Sequence, residues 1–314
     1  MTQIQYDLII AGAGPAGMTA AVYAARKGLN VCLVSKDFGG QVAWTMGIEN
    51  YMGFQYIESA QLIEKFREQV EQFPVDLKTG ETIVSLSRLE GGFELGTDRS
   101  NSYRSRALII ATGKRPRRLD VPGEERLQGR GVTYCAICDG PVFAGEKVVV
   151  VGGGNSALEA ADDMVNLAEH IYLVTADPDF RADQILIDRA KKAPNLTMLM
   201  EHEVVEIQGA DRVEGVLLRR PKKEYLKVDA AGVLVEIGLI PNSEFARGVA
   251  RLNELGEITI NCCCGTEIPG LFAAGDVTNI LEKQIVVAAG EGAKAAIQAH
   301  RYLQRVRMHG GSPA

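Results

Sequence analysis

Two glycine-rich turns, each directly after an apolar run, constrain the fold of this chain more than any other feature of its sequence. The first turn is residues 12–17, after the apolar run 6–11, and the second is residues 152–157, after 148–151. Each turn is followed by an alanine-rich segment and then by another apolar run, which is the order of strand, turn, helix and strand. This order predicts βαβ units in which the turn and the helix N-terminus bind the phosphates of a dinucleotide.

The order of segments after the second unit predicts that this unit is inserted into the first. Short alternating runs at residues 204–207, 213–219 and 232–237 are typical of strands. A further strand then reaches a glycine and a carboxylate at residues 270–276, and a helix is predicted over about residues 284–304. We therefore predict an α/β fold with two Rossmann-like nucleotide-binding domains, the first made of residues 1–114 and 247–314 and the second of residues 115–246.

Composition excludes several classes of function. The chain has 314 residues, of which 46% are hydrophobic and 24% charged, which suits two ordinary globular domains. With 34 basic against 40 acidic residues it lacks the basic surplus of a nucleic-acid binder. Its densest positive stretch, residues 104–118, is interpreted as a solvated connection, with a docking surface as the alternative. No apolar run reaches the length of a membrane span, and no signal peptide is visible at the N-terminus.

A Cys-x-x-Cys pair, Cys135 and Cys138, lies between the two glycine turns. Such a pair is either redox-active or part of a metal site, because its two thiols can close a small disulfide ring. A zinc site needs four ligands, and no second Cys-x-x-Cys or His pair stands at a matching spacing, so we predict no metal. Six cysteines without a signal peptide indicate the reducing cytoplasm, where such a pair is more often catalytic than structural.

One element of the first dinucleotide motif is missing. The acidic residue that usually binds the ribose at the end of the second strand is replaced by Ser35 and Lys36, with Asp37 one position later. The ribose contact is therefore expected from the Ser35 hydroxyl or from the backbone.

Seven motifs follow one another along almost the whole chain. They are the turn at 12–17, residues 39–41, 49–53 and 111–113, the segment 135–139, the turn at 152–157, and Gly275-Asp276 with Gln284. In this order they resemble the motifs of bacterial-type, low-molecular-weight thioredoxin reductases. The chain also resembles the C-terminal flavoprotein portion of alkyl hydroperoxide reductase, without that protein's N-terminal thioredoxin-like extension. The resemblance implies an FAD-dependent thioredoxin-disulfide reductase that uses a reduced nicotinamide, forms a homodimer and has a thioredoxin or glutaredoxin-like partner.

The resemblance also implies a set of FAD-binding residues. Asp276 follows a glycine at a strand end, where it can accept hydrogen bonds from ribityl hydroxyls, and the amides of Gln41 and Asn50 suit the edge of a flavin. Alone, an Asn or Gln at such a position would more often be a turn or surface residue. The predicted set is Gly12, Gly14, Ala16, Gly17, Ser35, Gly40, Gln41, Asn50, Thr112, Gly113, Gly275, Asp276, Lys283, Gln284 and Ile285.

Thiol chemistry and the resemblance together assign roles around the dithiol. One sulfur must be stabilised as a thiolate while the other attacks an outside disulfide. The resemblance places Cys138 against the flavin and makes Cys135 the outward nucleophile. Asp139 is predicted to act as general acid–base, with a plain turn residue before Gly140 as the alternative.

The second glycine turn is predicted to bind the nicotinamide dinucleotide through Gly152, Gly154, Asn155 and Ser156. Thioredoxin reductases specific for NADPH usually carry His-Arg-Arg where this chain has residues 175–177, and only the later Arg181 remains. A carboxylate such as Asp177 repels a 2′-phosphate and can accept a bond from a free 2′-hydroxyl, which favours NADH. The alternative is that Asp177 and Asp179 are ordinary turn residues around Pro178.

Two other functions are also compatible with the sequence. The same flavin disulfide reductase could be fed by ferredoxin or a deazaflavin, or the chain could be a non-catalytic regulatory flavoprotein. The intact second glycine turn argues against the first alternative and the intact dithiol against the second.

The run Cys262, Cys263 and Cys264 is interpreted as small buried hydrophobic residues in a strand, with Cys262 and Cys264 on one face. Cys32 is interpreted in the same way.

Overall fold

The computed structural model describes residues 5–45, 47–220 and 224–308 of the chain. The strands, in chain order, are β1 (Tyr6–Ala13), β2 (Val31–Phe38), β3 (Gly47–Ile48), β4 (Ile57–Glu58), β5 (Val75–Thr79), β6 (Ile83–Leu89), β7 (Gly92–Thr97), β8 (Ser102–Ile110), β9 (Lys114–Pro116), β10 (Val132–Thr133), β11 (Lys147–Val151), β12 (His170–Val174), β13 (Leu196–Leu199), β14 (Glu203–Gln208), β15 (Gly215–Arg219), β16 (Tyr225–Asp229), β17 (Gly232–Val235), β18 (Leu239–Pro241) and β19 (Leu271–Ala273). The α-helices are α1 (Pro15–Ala25), α2 (Ser59–Glu71), α3 (Glu124–Leu127), α4 (Ala136–Asp139), α5 (Asn155–Met164), α6 (Gln184–Lys192) and α7 (Ile285–Met308).

The first sheet has the order β5-β2-β1-β8-β7-β6, with β19 pairing with β8. Its central strands β1 and β8 pair in parallel and end in continuous buried apolar runs, as expected of strands covered on both faces. Because β19 joins this sheet from near the end of the chain, the first Rossmann-like unit is discontinuous in sequence.

The second parallel sheet has the order β10-β17-β11-β12-β13, and an antiparallel sheet, β14-β15-β16, follows it in sequence. Both lie in the chain between β9 and β18, which pair with each other in antiparallel fashion where the two connections run between the units. The predicted fold, with one Rossmann-like unit inserted into another, is confirmed. The exact boundaries at residues 114/115 and 246/247 stay predictions.

Helices α1 and α7 pack closely because small residues line their contact. A Cβ atom added to Gly292 of α7 would lie 2.0 Å from the carbonyl oxygen of Ala16 in α1. Helix α1 begins at Pro15, whose fixed φ suits the first helical position and whose missing N–H would have no partner there. This packing fixes the direction of α1, and therefore where its N-terminus points.

The interpretation of residues 262–264 as a buried strand is wrong. These residues form a turn in which Cys262 and Cys263 are exposed and only Cys264 is buried. The side-chain oxygen of Asn261 accepts hydrogen bonds from the backbone N–H groups of Cys263 and Gly265, at 2.9 and 3.1 Å, which bends the chain. Cys32 is buried in β2, as predicted. Among the described helices, none combines the length and apolar character needed to cross a bilayer.

Candidate active site

A cavity of about 1820 Å³ brings together most of the site residues predicted from the sequence. It exceeds the roughly 300–1,000 Å³ of ordinary small-molecule sites, as an extended dinucleotide would require. Its lining contains residues from both Rossmann-like units. The predicted residues that line it are Gly12, Gly14, Ala16, Ser35, Gly40, Gln41, Asn50, Thr112, Gly113, Cys135, Cys138, Asp139, Ser156, Gly275, Asp276, Lys283, Gln284 and Ile285.

The glycines of the first turn serve different purposes. A Cβ atom on Gly12 would lie 2.4 Å from the carbonyl oxygen of Ala111, and one on Gly17 would lie 1.8 Å from that of Gly12, so these two permit close packing of backbone. Gly14 instead borders open space, with its nearest neighbour 3.9 Å away. It caps α1 without a side-chain hydrogen bond, which leaves the first N–H groups of the helix available to a phosphate.

Ser35 joins the ends of β1 and β2. Its hydroxyl accepts a hydrogen bond from the backbone N–H of Ala13 at 3.1 Å and donates one to the carbonyl oxygen of Asp37 at 2.7 Å. The expected ribose contact of this hydroxyl stays a prediction.

The partly buried carboxylate of Asp276 lies in the part of the cavity formed by residues 275–285. Gln41 donates a hydrogen bond to Asp276 at 2.7 Å, and Asn50 donates one to Gln284 at 3.3 Å. Burial raises the pKa of Asp276, against the opposing effects of the Gln41 hydrogen bond and the nearby lysine charges. A carboxylate can accept about four hydrogen bonds, so the single bond from Gln41 leaves acceptor capacity toward the cavity. These residues therefore fit the hydroxyl-rich chain of an FAD.

A buried ion-pair cluster lies beside Asp276. Glu257 accepts hydrogen bonds from Lys114 at 2.7 Å and from Asn253 at 2.7 Å, and its carboxylate lies 3.3 Å from the Lys283 ammonium. Burial and the neighbouring charge of Lys114 lower the pKa of Lys283. Through Glu257, the cluster therefore links the predicted FAD residue Lys283 to Lys114, the first residue of β9.

Cys135 and Cys138 form a disulfide at the start of α4. Cys135 is the N-cap residue of this short helix, and its sulfur accepts a hydrogen bond from the backbone N–H of Cys138 at 3.2 Å. Both cysteines are partly buried and line the cavity. The disulfide therefore opens into the same space as the first glycine turn.

Asp139 is buried at the end of α4 and accepts hydrogen bonds from the hydroxyls of Thr45 and Thr133. The Thr133 oxygen in turn accepts a hydrogen bond from the backbone N–H of Cys135 at 3.2 Å. Asp139 is thus connected through a single hydroxyl to the residue that is predicted to be the nucleophile.

The glycines of the second turn have the same two roles as those of the first turn. A Cβ atom on Gly152 would lie 2.3 Å from the carbonyl oxygen of Glu236, whereas Gly154 borders open space and caps α5 without a side-chain hydrogen bond. Beyond β12, the guanidinium of Arg181 lies 3.4 Å from the carboxylate of Asp177. The side chain of Asn155 exchanges hydrogen bonds with Asp183.

Residues 6–293 match the family described as pyridine nucleotide-disulphide oxidoreductase. The chain belongs to this family. Over 307 residues it is 39% identical to an alkyl hydroperoxide reductase protein of Escherichia coli, a match that covers 96% of this chain and 59% of that protein. It is 38% identical to an NADH dehydrogenase of Ferdinandcohnia aciditolerans, covering 96% of this chain and 58% of that protein.

The structural comparison agrees with this family membership. The thioredoxin reductase of Streptococcus pyogenes has 36% sequence identity and superposes with a TM-score of 0.91, covering 97% of this chain and all of that one. The resemblance stated from the motifs is therefore confirmed, as is the expectation of an oxidoreductase. The chain spans about 59% of the length of the curated relatives it matches.

Several polar residues of this pyridine nucleotide-disulphide oxidoreductase site were not predicted from the sequence. Thr45 and Thr133 belong to no motif, and they are recognised only by their hydrogen bonds to Asp139. Asn242 exchanges hydrogen bonds with Thr112, at 2.6 and 2.9 Å, and so joins the connection after β18 to the cavity wall. Across the described part of the chain, no group of three or more His, Cys, Asp or Glu side chains is arranged to hold a metal ion.

Proposed function

We propose that this protein is an FAD-dependent disulfide reductase that passes electrons from a reduced nicotinamide, NADH in preference to NADPH, through Cys135 and Cys138 to thioredoxin or a glutaredoxin-like protein. The observation that carries the proposal is that the Cys135–Cys138 disulfide and the first glycine turn line one cavity. The overall reaction consumes NADH, one proton and a partner disulfide, and yields NAD⁺ and two partner thiols.

The cavity supports FAD as the group between nicotinamide and disulfide. The uncapped N-terminus of α1 suits the pyrophosphate, and Asp276 suits the ribityl hydroxyls. When bound, FAD supplies two-electron transfer between a hydride donor and a disulfide. The protein's own residues hold that group in place, while the disulfide at α4 receives the electrons.

The residues around α4 support the proton transfers that disulfide reduction requires. Opening the Cys135–Cys138 bond takes up two electrons and two protons if both sulfurs end as thiols. Asp139 is the carboxyl group next to Cys138 in sequence, and its connection to Cys135 runs through the Thr133 hydroxyl. It is therefore proposed to supply and take back a proton at the dithiol.

The position of the second glycine turn supports a change of arrangement during turnover. Ser156 lines the cavity together with the disulfide, while Asn155 is engaged with Asp183. A nicotinamide bound at this turn and a disulfide near the flavin would need the same face of the flavin. We therefore propose that the inserted unit rotates about the connections at β9 and β18.

Two features support NADH as the donor. Asp177 stands near the second glycine turn and pairs with Arg181, so the charge of the one arginine that remains in this segment is partly neutralised. One relative of the chain also bears the name NADH dehydrogenase. A free 2′-hydroxyl would find an acceptor in Asp177.

The surface beside the disulfide supports a protein partner. Ile137, between the two cysteines, and Val142, four residues after Cys138, are 63% and 48% exposed, although both are apolar. Phe143 is instead buried against Gly232. Exposed apolar side chains close in sequence to a partly buried disulfide suit docking of a separate dithiol protein. The homodimer and the cytoplasmic location stay predictions.

The proposal is tested with serine variants of the two cysteines. Cys135→Ser is expected to abolish NADH-dependent reduction of a small Cys-x-x-Cys protein from the same host, but to leave anaerobic bleaching of the flavin by NADH intact. Cys138→Ser is expected to abolish the same reduction and also to change the flavin spectrum.

The exposed, unpaired Cys263 gives a matched control, since Cys263→Ser removes an accessible thiol away from the cavity and should leave turnover unchanged. Near-normal disulfide reduction by either variant of the dithiol would refute the relay. If the purified protein contained no flavin and took up no added FAD, the proposal that FAD is its cofactor would be refuted.

A further inference from the structure

A hydrogen bond holds the backbone of Glu236 beside the second glycine turn. It directly follows β17, and its backbone N–H donates a hydrogen bond to the carbonyl oxygen of Val151 at 2.8 Å. A Cβ atom added to Gly152 would lie only 2.3 Å from the carbonyl oxygen of Glu236. The residue therefore stands at the carboxyl ends of the neighbouring strands β11 and β17 of the inserted unit.

The side chain of Glu236 reaches from there to the dithiol. Its carboxylate accepts a hydrogen bond from the backbone N–H of Ala136 at 3.3 Å. Ala136 directly follows Cys135 and is the first residue of α4. Glu236 also lines the cavity together with both cysteines, so its charge acts on the space into which the disulfide opens.

The cavity that Glu236 lines contains both acidic and basic side chains. Helix α5 contributes Glu159 and Asp163, and α4 contributes Asp139. On the connection after β9, Arg117 approaches Gly238, two residues beyond Glu236. Burial raises the pKa of Glu236 to about 7, opposed by the Ala136 N–H and reinforced by the charge of Glu159. The carboxyl group thus changes charge in the neutral pH range.

We propose that Glu236 is a positioning residue for the dithiol, which holds α4 through Ala136 and whose negative charge opposes formation of the Cys135 thiolate once the disulfide is reduced. This inference rests on the proposed cycling of the dithiol. Reduction breaks the S–S bond and adds two electrons, so negative charge develops on sulfur unless a proton arrives. A neutral Glu236 tolerates that charge, whereas an ionised Glu236 favours the protonated thiol.

The test measures the reactivity of Cys135 directly, without nicotinamide or a partner protein. The purified protein is reduced with dithiothreitol, freed of reductant and alkylated with iodoacetamide from about pH 5 to about pH 9, which spans the ordinary pKa values of carboxyl and thiol groups. Mass spectrometry of the peptide gives the rate at Cys135. Wild type is expected to show the ionisation of Glu236 as a step in the pH profile, in addition to that of the thiol.

Glu236→Gln keeps an oxygen that can accept the Ala136 N–H but removes the charge. It is expected to remove the additional step and to raise the rate of Cys135 alkylation at neutral pH by roughly threefold or more, because a like charge near the thiolate is lost. Glu214→Gln, an exposed substitution in the same unit, is the control and should leave the profile unchanged. An unchanged profile in Glu236→Gln would overturn the proposal.

A second variant keeps the proposal testable if Glu236→Gln folds poorly. Glu159 is exposed, and its charge raises the pKa of Glu236, so Glu159→Gln should shift the additional step to lower pH. The absence of that shift would also overturn the proposal. The outcome is separate from the proposed function, since Cys135 can respond to Glu236 in a protein that does not oxidise NADH.

Discussion

Two neighbouring residues of β9 form ion pairs of similar geometry but different burial. Lys114 lies 2.7 Å from Glu257, with each side chain 9% exposed, whereas Arg115 lies 2.7 Å from Glu244, with side chains 45% and 56% exposed. Because the cations are adjacent in sequence, the pairs form a matched comparison of the effect of burial. We predict that Glu257→Gln lowers the free energy of unfolding far more than Glu244→Gln.

The magnitude follows from what each substitution leaves behind. Glu257→Gln leaves the Lys114 ammonium buried and removes the counter-charge of Lys283, and breaking a buried pair in this way costs about 3–5 kcal/mol. Glu244→Gln leaves Arg115 in solvent, where an exposed pair contributes about 0.2–1 kcal/mol. The double variant Lys114→Met, Glu257→Gln should recover part of the loss, because one uncompensated charge is removed.

The contribution of Glu257 to the free energy of unfolding should decrease in acid. Burial acts to raise the pKa of Glu257, but the hydrogen bonds from Lys114 and Asn253 and the charges of Lys283 and Lys114 together outweigh it, so the pKa is lowered below its ordinary value. A carboxyl group with a lowered pKa in the folded state stabilises the protein above its ordinary pKa and loses this contribution as the pH falls through the lowered value. The difference between wild type and Glu257→Gln should therefore be largest at neutral pH and shrink in acid.

The assay is urea unfolding followed by circular dichroism, since urea, unlike guanidinium chloride, does not screen the charges under study. Wild type, both single variants and the double variant are compared at neutral pH and at about pH 2–3, well below the ordinary pKa of a carboxyl group. Equal losses for Glu257→Gln and Glu244→Gln would refute the reasoning, because burial would then have no effect on the contribution of the pair.

Two further predictions concern the second glycine turn and its surroundings. Gly152→Ala should destabilise the protein by about 1–3 kcal/mol in urea unfolding, because its Cβ would lie 2.3 Å from a carbonyl oxygen, whereas Gly154→Ala should leave stability unchanged and raise the KM for NADH. Ala176→Arg combined with Asp177→Arg should shift the ratio of kcat/KM for NADPH over NADH upward by about tenfold or more, since each charge-assisted bond to a 2′-phosphate contributes about 1.5–3 kcal/mol. A wild-type enzyme that already favours NADPH tenfold would show that Arg181 outweighs Asp177.

The parts of the fold that could be predicted are those specified by local sequence. Each glycine turn sits between a buried strand and an alanine-rich helix, so the backbone requirement and the residue that meets it are neighbours in the chain. The predicted helix over about residues 284–304 corresponds to α7 (Ile285–Met308), because its small and apolar residues recur with helical spacing. The return of β19 to the first sheet, and hence the insertion, follows from the order of such local units.

The contacts that tune the site could not be predicted, because they join residues far apart in sequence. Glu236 and Ala136 are 100 positions apart, and Thr45 and Asp139 are 94 apart. Ala136 and Asp139 lie in the dithiol motif, but no periodicity or motif marks Glu236 or Thr45 as their partners, since each of these looks like an ordinary loop residue. Residues 262–264 differ from the prediction for another reason: their small apolar side chains are compatible with a strand, but the hydrogen bonds of the Asn261 side chain bend the segment into a turn.

The contact between Thr45 and Asp139 links the proposed chemistry to the proposed rotation. Thr45 belongs to the segment between β2 and β3 of the first unit, while Asp139 belongs to α4 of the inserted unit, so their hydrogen bond crosses between the two units. Rotation of the inserted unit requires this bond to break. An ionised carboxylate is a stronger acceptor for the Thr45 hydroxyl than a protonated one, because hydrogen bonds to charged groups are the stronger kind. If Asp139 exchanges a proton with the dithiol, each exchange therefore also changes how firmly the two units are held together.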